Sequence, residues 1–222
     1  ERREAEEQLA EAGKELERQR KLPWIINYKG IEDAELAYGH FLEKVERLKR
    51  ELKYKGHIID MYADTVKVSN GNVAQWDFIG HKGAAAVVPV LEDGRILMVK
   101  QYRNALDRFT IEVPAGGRDG VDEPMITCAK RELEEETGYV TDDLEFLISI
   151  RTTVAFCNEL IDVFVAKNLK KTAQHLDEDE SIDIIPFTVD ELCDRIYNGE
   201  IQDGKTISAI MAYKNKYDVS VN

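Results

Sequence analysis

Three glutamates, Glu132, Glu135 and Glu136, are the first residues in this chain whose type and spacing suggest chemistry. At positions i, i+3 and i+4 a helix sets all three carboxylates on one face. Like charges placed this way repel by roughly a few tenths of a kcal/mol per pair, so a helix built only for structure gains nothing from them. A bound hard cation reverses that sign, because clustered carboxylate oxygens are the ligands Mg²⁺ prefers. A run of acids on its own is usually a solvated helix face, so its neighbours must decide.

The helix that carries them is expected to start after Asp122, with Pro124 tolerated in its first turn. Met125, Ile126, Ala129 and Leu133 supply its apolar face, and Gly138 is a suitable residue just past its end. Short strands should precede it. Residues 57–68 and 73–81 flank the turn Ser69-Asn70-Gly71-Asn72, and 84–91 and 95–103 flank Glu92-Asp93-Gly94. The stretch 109–114 is one further strand, ending at Pro114. Beyond the helix, 145–153, 159–169 and 182–187 read as strands, and 189–198 and 205–217 as helices. Many strands and a few helices without regular alternation indicate an α+β domain.

Two helical stretches are expected ahead of this domain, over 1–21 and 31–53, giving a helical extension over 1–54 and a main domain over 55–218. In the second, Phe41, Val45, Leu48 and Leu52 form a one-sided stripe that must pack on the chain's own later domain or on a second copy of the chain, the latter favoured. The net charge of -13 in 222 residues leaves no basic surplus for duplex nucleic acid. No apolar run approaches about 18 residues, so no membrane span is expected. Cys128, Cys157 and Cys193 lack paired metal spacing and suit reduced thiols in the cytoplasm.

The pattern Gly117-x5-Glu123-x7-Arg131-Glu132-Leu133-x-Glu135-Glu136-x-Gly138 resembles the Nudix box at its fixed positions. Nudix hydrolases cleave a pyrophosphate that joins a nucleoside to another group. The resemblance implies an α/β/α sandwich around a mixed sheet, and Mg²⁺ or Mn²⁺ held by Glu132, Glu135 and Glu136. It gives Arg131 the task of holding those glutamates in register and leaves Glu123 to support the loop. Gln101-Tyr102-Arg103, then Glu112-Val113-Pro114-Ala115-Gly116, is similar to the ADP-ribose pyrophosphatase subfamily, as are His81-x-Gly83 and Asp203-x-Lys205-Thr206. That similarity covers about 57–217. It implies that Arg103 contacts phosphate or ribose, that Glu112 is a further polar or metal-linked ligand, and that a carbonyl of Ala115 or Gly116 ligates metal. A homodimer is implied too, since relatives complete each site with partner residues.

The subfamily resemblance also implies a general base from a loop ahead of a late strand, here the acidic loop over 175–181, with Glu178 favoured, Glu180 the alternative and Glu159 weaker. Trp76 is the favoured aromatic for stacking adenine, with Phe156, Phe78 and Tyr62 behind it. Two features depart from the subfamily. Gly117 follows Gly116, so either Gly117 is the first box position or the loop carries an insertion. Val154 also stands where a proline is common, which bears on the substrate: a UDP- or GDP-sugar or a diadenosine polyphosphate is the alternative to ADP-ribose. A non-catalytic nucleotide-sensing module is a further alternative, disfavoured because no box glutamate is lost.

Overall fold

A computed structural model describes residues 45–176 and 180–217. Backbone contacts divide the chain into two compact units. One comprises Glu1–Leu48 with Val66–Ala74, of which 45–48 and 66–74 are described. It contains the tight turn at Gly71, where Asn70 Oδ1 accepts from the Asn72 N–H at 3.0 Å. The other, Lys49–Thr65 with Gln75–Asn222, contains the glutamate helix.

The strands are β1 (Glu46–Lys55), β2 (Asp60–Lys67), β3 (Val73–Gly80), β4 (Ala84–Pro89), β5 (Ile96–Arg103), β6 (Arg108–Glu112) and β7 (Ala115–Gly117). Helix α1 (Met125–Thr137) follows, then β8 (Tyr139–Val140), β9 (Leu144–Arg151), β10 (Leu160–Ala166), β11 (Lys170–Lys171) and β12 (Ile182–Phe187). Helices α2 (Val189–Tyr197) and α3 (Gly204–Tyr217) close the described chain. The sheet orders are β1-β2-β3, β7-β4-β10-β9, β11-β8 and β12-β5-β6.

Strand β4 is the middle of the packing. It pairs parallel to β10 and antiparallel to β7, and its run Ala84-Ala85-Ala86-Val87-Val88 is buried throughout. A strand covered on both faces reads as continuous apolar sequence rather than as an alternation. Ala84, Ala86 and Val88 point into one core with Ile161, Val163, Ile210 and Tyr213. Ala85 and Val87 point into another with Cys128, Ala129 and Leu133 of α1. One sheet thus has α1 on one face and α2 and α3 on the other, a mixed-sheet α+β fold.

Residues 46–55 are strand, not the end of a helix over 31–53, and β1 runs across the boundary expected at 54/55. The remainder of the expected helical extension lies outside the described residues. The four-residue step from Leu48 to Leu52 satisfies a period of 2 as well as one near 3.6. The intervening Arg47, Lys49, Glu51 and Lys53 all take the opposite face, the alternation of a strand. Tertiary partners favour it further: Arg50 forms a bidentate pair with Asp64 of β2 at 2.6 and 2.5 Å and lies 3.6 Å from the Phe78 ring centre of β3.

Candidate active site

Helix α1 has no side-chain cap at its start, where Pro124 is the N-cap residue. Its end is strongly built. Gly138 adopts φ 66°, ψ 32°, and its N–H donates to the Glu134 carbonyl at 2.8 Å. The segment after β11 satisfies three more carbonyls of this end. The Thr172 N–H donates to Gly138 O at 2.7 Å, the His175 N–H to Glu135 O at 3.0 Å, and Gln174 Nε2 to Glu136 O at 2.6 Å. Gln174 Nε2 also reaches Ile182 O at 3.5 Å, so both ends of the acidic loop are tied near the glutamates.

Glu132 and Glu136 are buried and Glu135 is part-exposed. Glu136 Oε2 accepts the Ala115 N–H at 2.8 Å. Arg131 lies among them: Nη1 donates to Glu132 at 2.6 Å and to Glu135 at 3.0 Å, Nε to Glu123 at 3.4 Å, and Nη2 to the Gly117 carbonyl at 2.8 Å. Burial disfavours the charge of that guanidinium, but Glu123, Glu132 and Glu135 more than offset it and raise its pKa. Glu123 also accepts the Asp119 N–H at 2.8 Å, which places it in the loop that precedes the helix.

Burial pushes Glu132 up to about 7, against the pull of Arg131, with Glu135 and Glu180 adding to the rise. Burial likewise pushes Glu136 up to about 8, against the Ala115 N–H, with Glu132 and Glu180 adding. Both groups hold protons more tightly folded than at their ordinary value of 4.5. Their contribution to stability is therefore complete below pH 4.5 and lost as pH rises through about 7 and 8. A divalent cation selects the ionised forms and releases protons on binding. Thermal unfolding with Mg²⁺ and with EDTA should show a Mg²⁺-induced rise in Tm that is small at about pH 5 and grows towards about pH 8.5. A rise independent of pH would mean that these carboxyls are not the ligands.

The donor set fits a hard cation: all-oxygen, closely spaced, and poorly ionised without a positive partner. A further fit is the close approach of Gly116, where a Cβ would overlap the Glu132 carboxyl group, while one on Gly117 would meet nothing within 4 Å. Among the described residues no three acidic, histidine or cysteine side chains already converge on one ion-sized point. Arg131 accounts for this, since its Nη1 holds both Glu132 and Glu135. Of the two carbonyls in question, that of Gly116 accepts a 3.5 Å contact from the Cys128 thiol; the next one along, Gly117 O, is engaged by Arg131.

Arg103 and Glu112 form a bidentate pair at 2.8 and 2.6 Å on neighbouring strands β5 and β6. Thr110 Oγ1 adds a bond to Glu112 at 2.7 Å, and Lys205 of α3 donates to its other oxygen. Burial opposes ionisation of Glu112, but Arg103 and Lys205 win and hold it down at about 2. Trp76 is 48% exposed on β3 and Phe156 45% exposed in the loop before β10. Among the described residues no ring contact or hydrogen bond joins either to α1. Phe156 is held through its carbonyl, which accepts the Ile79 N–H at 2.7 Å. Phe78 and Tyr62 lie under the Arg50 guanidinium. Glu159 is turned to Thr152 at 2.6 Å and His81 at 3.5 Å. Glu180 is exposed, close enough for its charge to act on Glu132 and Glu136; Glu178 lies outside the described residues.

Arg118, and the pairing of Lys205 with Glu112, emerge only from the structure. Arg118 braces the loop before α1, donating to Glu123 O at 2.7 Å, to Lys82 O at 3.1 Å and to Val121 O. Its sequence signal is weak, a single arginine after two glycines. Lys205 had a signal in the Asp203-x-Lys205-Thr206 pattern, but nothing local shows that it reaches Glu112, 93 residues earlier.

Of the three free cysteines, Cys128 and Cys193 are buried and Cys157 partly so. Among the described residues no helix is long and apolar enough to cross a membrane. The sequence profile of the NUDIX domain matches residues 80–210. A methanol dehydrogenase activator from Bacillus methanolicus is 39% identical over 165 residues, covering 73% of this chain and 89% of that protein. An ADP-ribose pyrophosphatase from Bacillus subtilis is 36% identical with the same coverage. A crystal structure of an ADP compounds hydrolase superposes with TM-score 0.70 at 19% identity, over 80% of this chain and 97% of that one, which shows a shared fold. The profile spans more than half of the sequence, and its motif lies on the helix that gathers the carboxylates: this chain belongs to the Nudix hydrolase family.

Proposed function

We propose that this protein hydrolyses the pyrophosphate of ADP-ribose, or of a closely related nucleoside-diphosphate sugar, to a nucleoside monophosphate and a sugar phosphate. The observation that carries this is the facing of Glu132 and Glu136 against the Ala115–Gly117 strand, with Arg103 held nearby on β5. The ADP-ribose pyrophosphatase relative supports the substrate class. Glu132, Glu135, Glu136 and a carbonyl of Ala115 or Gly116 would hold Mg²⁺ or Mn²⁺. Bound there, the ion would neutralise pyrophosphate charge and lower the pKa of the attacking water.

The chain's own residues do the rest. Arg131 keeps Glu132 and Glu135 aligned through its shared Nη1. Arg103 offers its guanidinium to phosphate oxygens. A glutamate of the acidic loop accepts the proton of the water. Glu178 is favoured for this and Glu180, whose charge acts on Glu132 and Glu136, is the alternative. Trp76 supplies a part-exposed face for the base. We assign the protein to a homodimer in the cytoplasm, where its three thiols would stay reduced.

A product assay over ADP-ribose, UDP-glucose, GDP-mannose, diadenosine polyphosphates and oxidised dGTP, with Mg²⁺ and with EDTA, tests the assignment. Metal-dependent release of AMP and ribose 5-phosphate from ADP-ribose is expected; turnover of none of these would defeat it. In the same assay Glu178→Gln should lower kcat by about 10²-fold or more. If Glu180→Gln does so instead, the base is Glu180.

A further inference from the structure

Lys205 is a nearly buried cation that the start of its own helix does not require. Its side chain is only 12% exposed, in the first turn of α3. Its ammonium donates to Glu112 Oε2 and, at 3.0 Å, to Asp203 Oδ2. The start of α3 is fastened without it. Asp203 Oδ2 accepts the Thr206 N–H at 2.9 Å and its hydroxyl at 2.6 Å, and Thr206 Oγ1 accepts the Val113 N–H at 3.0 Å. A buried ion pair adds little net stability over apolar residues that replace both partners, so stability alone does not explain why a lysine is paired with Glu112 here.

Its effect on Arg103 does. A bidentate arginine–glutamate pair is neutral as a unit. Here the same carboxylate is shared: Oε1 takes Arg103 Nε and Thr110, and Oε2 takes Arg103 Nη2 and Lys205. With Asp203, which Lys205 also meets, the group holds two cations and two carboxylates and is neutral; without Lys205 it would be net negative around Arg103. Arg103 is the member that reaches solvent, 40% exposed, with Nη1 outside the fork it makes on Glu112. The charges of both Arg103 and Lys205 act on Glu136, which places the group beside the glutamate helix.

The geometry points to Lys205 as a positioning residue for pyrophosphate recognition: by sharing Glu112 it holds Arg103 in place and cancels the second carboxylate, so that the guanidinium does not meet a phosphate group from within a net negative cluster. This rests on the proposed pyrophosphate substrate. It predicts a penalty in binding rather than in the chemical step, and one that passes through Arg103.

The test is calorimetric binding of ADP-ribose in EDTA to the wild type, Lys205→Met, Lys205→Arg, Arg103→Met and the double variant, alongside KM and kcat with Mg²⁺. Lys205→Met should weaken binding about tenfold or more, and KM should rise with kcat within about threefold. Lys205→Arg should restore most of the affinity. The double variant should bind no more than about twofold worse than Arg103→Met alone, since the two act as one unit. If Lys205→Met does not fold, Lys205→Gln makes the same comparison. Binding by the lysine variants equal to the wild type's, or penalties that add in the double variant, would overturn the inference. A wild type that binds ADP-ribose but does not hydrolyse it defeats the proposed activity and leaves the binding comparison to decide Lys205. A wild type that hydrolyses it while Lys205→Met behaves normally defeats Lys205 alone, and one that neither binds nor hydrolyses it defeats both.

Discussion

Glu136→Gln should lower kcat for ADP-ribose at saturating Mg²⁺ by about 10³-fold, and Glu135→Gln should act in the same direction. Glu136 is the most deeply placed of the three box glutamates, buried between α1 and the Ala115 N–H. The substitution keeps shape and can keep the bond to Ala115, because an amide oxygen accepts as a carboxylate does. It removes the charge. Without metal that charge is a liability, since burial pushes the carboxyl up to about 8. The variant should therefore melt in EDTA at about pH 8.5 no lower than the wild type, while losing most of the Mg²⁺-induced rise in Tm. Loss of catalysis without loss of stability identifies a ligand rather than a structural residue. Activity within about tenfold of the wild type would remove the glutamate helix from the mechanism.

Gly116→Ala should be nearly as damaging, by about 10²-fold or more in kcat, and Gly117→Ala should change activity less than about twofold. The two glycines are adjacent, and both lie in β7, paired to Ala85 and Ala84 of β4. A methyl on Gly116 would occupy the space of the Glu132 carboxyl group, whereas one on Gly117 meets open space. Glu132 would then have to leave Arg131 Nη1, or β7 would have to leave its register with β4. Overpacking of this kind also costs about 1–3 kcal/mol of stability, so a lower Tm should accompany the lost activity. Equal activities for the paired variants would show that the close approach has no functional weight. The comparison also bears on the extra glycine of the loop: Gly116 is the one that must stay bare.

The legibility of the fold followed burial. β4, β10 and α1 were readable because each is covered by its neighbours, so their sequences are apolar in the period their geometry demands. β1 was not, because Leu48 and Leu52 fit two periods and are exposed. What makes it a strand is Arg50 meeting Asp64 and Phe78 across the sheet, and no local pattern encodes those partners.

The same division holds in the site. Residues on a single helix were decided by sequence: Glu132, Glu135, Glu136 and Arg131 have set mutual spacing, and the turn geometry of a helix converts that spacing directly into one charged face. The Gly138 stop was decided in the same way. Relations between distant segments waited for the tertiary structure. Lys205 reaches Glu112 across 93 residues, Gln174 reaches Glu136 across 38, and Gly116 makes room for a carboxyl on the other side of a loop. Each depends on how elements pack, and packing is set by the whole core rather than by the residues that profit from it. The sequence by itself determined the reaction's acidic face; only the folded chain decided which cations and which glycine surround it.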